Sequence, residues 1–84
     1  MTMILNESAF REWLQIHKSL SKKASGDVIS RFKRCLKLES IGGHETPEAY
    51  FDALLQNPYL DDIPASSRVS MNRAIELFYE FSNY

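Results

Sequence analysis

At 84 residues, with 44% apolar and 25% charged content, the chain has room for one domain around a single core and little for an enclosed active site. No apolar run approaches the roughly 18 residues that suggest a membrane span, and "MTMILNESAF" has no basic leader followed by an apolar stretch and a cleavage site, which argues against secretion. The net charge of −1 conceals a division: residues 1–37 carry eight Lys and Arg against three acids (+5), whereas residues 38–84 carry two against eight (−6). Such asymmetry suggests an electrostatic partner for one half, attraction between the halves, or head-to-tail self-association. A lone Cys35 excludes an internal disulfide and fits a reducing, cytoplasmic setting.

Four helices are expected, at about 7–18, 22–38, 47–56 and 67–82, in one domain covering residues 1–84. The first has Asn6 as N-cap and Glu7 at the positive end of its dipole, with Phe10, Trp13, Leu14 and His17 recurring at three- and four-residue steps. "KSLS" interrupts it, Ser21 caps the second helix, and the two glycines of "SIGGHE" stop that helix after Leu38. The sharpest boundary is "TPEAYFDALLQNPYL": Thr46 supplies a capping oxygen, and Pro47 at the first helical position has no N–H to leave unpaired. Pro58 disfavours helical geometry at Asn57, so the third helix ends near Gln56. "DDIPASS" is a second break, with Ser66 or Ser67 as cap of a last helix whose buried stripe is Met71, Ala74, Ile75, Phe78 and Phe81. No alternating strand pattern is present. The class is therefore all-α, a small four-helix bundle. Its expected core is Phe10, Trp13, Leu14, Val28, Ile29, Phe32, Leu36, Phe51, Leu54, Leu55, Ile75, Phe78 and Phe81.

The second helix divides on a wheel. At about 100° per residue, Lys22, Lys33, Gly26, Lys37, Ser30, Lys23 and Arg34 fall within a sector of about 120°. Ala24, Cys35, Val28, Phe32, Ser25, Leu36 and Ile29 lie opposite, with Asp27 and Arg31 at one border, where the four-residue spacing allows them to pair. Five cations over about 15 residues span about 22 Å, several phosphate spacings of a duplex. Gly26 among them costs roughly 1 kcal/mol of helix stability relative to Ala and would admit a phosphate or backbone closely. A solvated lysine-rich face with a tolerated early glycine is the plainer account of the same pattern.

These residues also carry a resemblance. "FREWLQIHKSLSKKASGDVISRFKRCLKL" and "SSRVSMNRAIELFYEFSNY" resemble the first two helices and the last helix of the SAM-like core-binding domain of tyrosine recombinases, the phage integrases. The likeness rests on Phe10, Trp13 and Leu14, on Leu20, Ser21 and Ala24, on Phe32 and Leu36, and on Ser67, Asn72, Arg73, Leu77, Phe78, Tyr79 and Phe81. It implies a four-helix bundle that clamps one face of a DNA duplex while a separate catalytic domain holds the other. Two departures stand out: Ala24 and Val28 replace the family's usual Thr and aromatic, and the chain carries no Arg-His-Arg-Tyr catalytic set.

Enzymatic and metal chemistry find little support. His17, Cys35 and His44 lie on separate elements without zinc-like spacing, so no metal or other cofactor is expected. Cys35 sits on the apolar face as a small hydrophobe, and His17 is expected as a partly buried helix-end residue. Asp61 and Asp62 precede Pro64 as turn residues rather than a catalytic pair, and "SIGGHE" lacks the spacing of a phosphate loop. Tyr50, Tyr59, Tyr79 and Tyr84 could stack on bases, but they fall in the acidic half. The expected function is a non-enzymatic DNA-binding module making phosphate contacts through Lys22, Lys23, Ser30, Lys33, Arg34 and Lys37. The alternative is a protein-interaction domain, such as a phage-type regulator or inhibitor. It would present Asp52, Tyr59, Asp61, Asp62, Glu76, Tyr79 and Glu80 to a basic partner.

Overall fold

A computed structural model describes residues 6–83; residues 1–5, which open the segment read for a leader, and Tyr84 lie outside them. Within that range the fold is all-α: α1 (Glu7–His17), α2 (Lys22–Leu38), α3 (Pro47–Leu55), a short 3₁₀ turn η1 (Pro58–Asp62) and α4 (Ala65–Ser82). Three of the helices begin on the caps that the sequence offers. Asn6 Oδ1 accepts from the Ala9 N–H, Ser21 Oγ from Ala24 and Thr46 Oγ1 from Ala49, at 3.0, 3.0 and 3.1 Å. α1 closes through Ser19, in the left-handed region at φ 55°, after which the Leu20 N–H turns back to the Leu14 carbonyl at 3.3 Å. Glu7 meets Lys33 while Gln15 meets Ser25, so α1 and α2 run antiparallel.

α4 starts at Ala65, two residues before the expected 67. The Pro64 carbonyl accepts from both Ser67 and Arg68, at 3.0 and 3.1 Å, so the backbone is already helical before either serine could cap it. α4 has no side-chain cap. It is also buried more widely than one stripe, adding Leu77 and Tyr79 to Met71, Ala74, Ile75 and Phe78, because it packs against all three other helices.

The centre is aromatic. Phe32 of α2 stacks on Phe78 of α4 with centroids 4.2 Å apart and planes at 19°. Phe10 of α1 meets the Phe78 ring edge-on at 5.5 Å and stacks on Phe81 at 5.0 Å. Such pairs contribute about 0.5–1.5 kcal/mol each beyond their buried area. Leu36, Phe51 and Phe81, expected inside, are only partly buried against this core, and Leu55 is 37% exposed. α3 is rotated so that Tyr50, not expected inside, points inward together with the expected Leu54 four residues on. Leu60 of η1 fills a further core place within a segment that the sequence marks only as a break.

Tyr50 and Tyr79 are buried because the 39–46 loop needs donors. Tyr50 Oη donates to the Glu39 carbonyl and Tyr79 Oη to that of His44, both at 2.7 Å, while His44 Nε2 and Glu39 Oε2 lie 3.1 Å apart. Gly43, at φ +87°, makes the turn between these anchors. Asn57 Nδ2 donates to the Leu38 carbonyl, tying the end of α3 to the end of α2. A tyrosine suits such a place, since its ring extends the core while its hydroxyl satisfies a carbonyl removed from water.

Two stability outcomes follow from this core. Phe32→Ala should cost about 3–5 kcal/mol in urea denaturation, a large share of the stability of so small a domain. Burial pushes the Cys35 thiol up to about 11 from an ordinary 9.0 and raises both tyrosine hydroxyls, mainly by desolvation. Above pH 9.0 the unfolded chain therefore releases a thiol proton that the folded chain retains. Stability should hold on the acid side of that value and decline as pH rises through it toward 11. Cys35→Ala, compared by denaturation at neutral and alkaline pH, should flatten the first part of the decline even though it lowers the starting stability.

Candidate nucleic-acid interface

α2 is held by its apolar side, and that fixes where its cations go. Ser25, Val28, Ile29, Phe32 and Cys35 are buried, with Ala24 and Leu36 half-buried beside them. Ser25, the polar member of the set, is satisfied by donating to the Lys22 carbonyl at 2.9 Å and accepting from Gln15 Nε2 at 3.4 Å. Lys22, Lys23, Ser30, Lys33, Arg34 and Lys37 are all exposed on the opposite side. Ser30, Lys33, Arg34 and Lys37 line one shallow hollow, and Ser30 and Arg34 also line a second that runs on to Asp27 and Arg31. The sequence-predicted cationic set therefore lies together along a single helix face.

Two details modify the expected electrostatics. Lys33 Nζ lies 2.7 Å from Glu7 Oε1 of α1, with both side chains about half exposed at 50% and 43%. An exposed pair of this kind contributes at most about 1 kcal/mol, so it lowers the local field without hiding the lysine. Asp27 and Arg31, expected to pair across their four-residue spacing, form no ion pair. Arg31 instead lines a groove toward α4 together with Arg73. Neither arginine belongs to the predicted set: Arg31 falls at the wheel's border, and Arg73 is an isolated cation within the acidic half, placed beside α2 only by the packing of α4.

The acidic surface is less unified. Asp52 on α3, Tyr59, Asp61 and Asp62 on η1, and Glu76 and Glu80 on α4 are exposed. Tyr79 is not part of it, being 9% exposed with its hydroxyl committed to the loop. Glu80 forms an ion pair with Lys18, whose ammonium also lies 5.6 Å from the centroid of the Trp13 ring. Tyr59, 53% exposed and adjacent in sequence to the acidic run, is the aromatic that remains.

The buried Cys35 remains a protonated thiol at neutral pH, raised by desolvation away from the reactive range. His17 is exposed rather than partly buried, its ring 5.9 Å from that of Trp13. Among the described residues no three His, Cys, Asp or Glu side chains gather as a metal site, and no helix is long and apolar enough to cross a membrane. No protein family, curated protein or solved structure matches the chain.

Gly26 lies on the cationic face, and a β-carbon built there meets nothing within 4 Å. Packing does not require the glycine, so Gly26→Ala should raise stability by about 0.5–1 kcal/mol in chemical denaturation.

Proposed function

We propose that the chain is a non-enzymatic DNA-binding module of the recombinase core-binding type, gripping the phosphate backbone through the outer face of α2. The observation that carries this reading is the segregation of Lys22, Lys23, Ser30, Lys33, Arg34 and Lys37 onto one exposed face. That face belongs to a 17-residue helix fixed through its other side. A rigid cationic stripe gains entropy by releasing the counterions condensed on a duplex. Ser30 adds a hydroxyl that can donate to a phosphate oxygen between the cations. The all-α bundle is compatible with the resemblance carried by Phe10, Trp13 and Leu14 and by the "ELFYEF" end of α4. Affinity and orientation, rather than base readout, are the expected contribution, because four of the six residues are lysines, flexible point charges that suit phosphates of any sequence.

The alternative, a protein-interaction domain or phage-type regulator acting through an acidic face, is weakened by the burial of Tyr79 and the pairing of Glu80. Asp52, Tyr59, Asp61, Asp62 and Glu76 remain exposed.

A fluorescence-anisotropy titration of duplex DNA over a range of salt concentrations tests the reading. Log affinity should fall with log salt at about −0.9 per phosphate neutralised, and the Lys33→Ala, Arg34→Ala double variant should flatten that slope by about two contacts. Because Lys33 must leave Glu7 to reach a phosphate, Arg34→Ala alone should weaken binding more than Lys33→Ala alone. Absence of binding at low salt would reject DNA as the partner, and a slope unmoved by the double variant would reject this face of α2 as the contact.

A further inference from the structure

The groove between α2 and α4 differs in kind from the solvated stripe. Its floor is apolar, formed by Leu20, Val28 and Leu77, and its volume is about 240 Å³. Arg31 from α2 and Arg73 from α4 stand on its rim, both exposed, and neither forms an ion pair among the described residues. Lys18, also on the rim, is already paired with Glu80, and Asp27 is the one acid lining the groove. Two guanidiniums above an apolar floor match an acidic segment that also carries an apolar or aromatic side chain. Arginine binds carboxylates bidentately and sheds its hydration more readily than lysine.

The chain itself carries such a segment. η1 presents Tyr59, 53% exposed, together with the exposed carboxylates of Asp61 and Asp62. Asn57 fixes its start by accepting from the Tyr59 N–H at 2.9 Å while donating to the Leu38 carbonyl, and the buried Leu60 pins its middle. The segment is thus held in place before any partner arrives, which reduces the ordering cost of docking.

We propose that η1 of one copy docks into the α2–α4 groove of a second copy, head to tail, with Tyr59 over the apolar floor and Asp61 and Asp62 against Arg31 and Arg73. The contact joins two different patches, so each copy retains a free groove at one end and a free η1 at the other, and assembly continues with concentration. It uses neither Lys33 nor Arg34 and stands independently of DNA binding.

Sedimentation equilibrium tests the proposal with the full chain and no nucleic acid. Mass should rise with protein concentration at low salt and return to that of the monomer at high salt, where exposed charges are screened. A groove variant, Arg31→Ala with Arg73→Ala, and an η1 variant, Asp61→Asn with Asp62→Asn, should each be monomeric. All four positions are exposed, and circular dichroism checks that both variants remain folded. Mixed in equal amounts they should form a dimer and nothing larger, because one intact groove and one intact η1 remain between them. Lys33→Ala with Arg34→Ala should associate as the parent does. A parent that stays monomeric at low salt, a mixture that fails to pair, or loss of association in the Lys33, Arg34 variant would overturn the proposal. So would capture of a free Tyr-Leu-Asp-Asp peptide by the groove of a parent chain that does not self-associate, since the occupant would then be another protein.

Discussion

The stacked contact between Phe32 and Phe78 is the constraint on which the rest of the molecule depends. It joins the middle of α2 to the second half of α4, and Phe10 closes over it from α1. A helix held at one point can still roll. α2 is held along its length by Ser25, Val28, Ile29, Phe32 and Cys35, which fixes its rotation about its own axis. Once the rotation is set, every residue about half a turn away must face water. The position of the cations is thus a consequence of aromatic packing rather than of any attraction among the cations, which repel one another.

That arrangement gives the domain two electrostatic characters without dividing its core. The basic residues of the first half gather on α2, while the acids of the second half are spread over α3, η1 and α4. Among the described residues the ion pairing between the halves is slight and peripheral: Lys18 pairs with Glu80 across α1 and α4, whereas the Glu7–Lys33 pair lies within the first half. Most of the opposite charge therefore remains outward and available to other molecules, with strength governed by ionic strength. A small domain of this kind gains little stability from its surface charge. It gains long-range attraction, which raises encounter rates and orients partners before contact.

What the sequence makes legible depends on whether a signal is local. Asn6, Ser21 and Thr46 are caps whose bonds reach three residues along the chain, and each is found where the sequence places it. The two faces of α2 are likewise a matter of helical period, and the split into buried and exposed residues follows the wheel nearly residue by residue. Signals that need tertiary context are missed. Tyr50 and Tyr79 read as surface aromatics because the carbonyls they satisfy, at Glu39 and His44, are 11 and 35 residues away. Two available serines draw the start of α4 toward Ser66, although the Pro64 carbonyl has already opened the helix. η1 is too short for periodicity to register, yet Leu60 within it is 1% exposed. Of the site, the stripe is legible, but the Glu7 contact that draws on Lys33 is not, since only the antiparallel pairing of α1 and α2 brings them together. The Arg31–Arg73 groove escapes for the same reason: its two sides come from different helices.

The proposal that the outer face of α2 meets a nucleic acid is open to a direct test. The most direct measurement is an amide chemical-shift map of isotopically labelled protein titrated with a short duplex at low salt. Changes should concentrate at Lys22, Lys23, Gly26, Ser30, Lys33, Arg34 and Lys37 and fade with added salt, while α3 and η1 stay still. Changes centred on Asp52, Tyr59 and Asp61, or no change anywhere with duplex in excess, would contradict it.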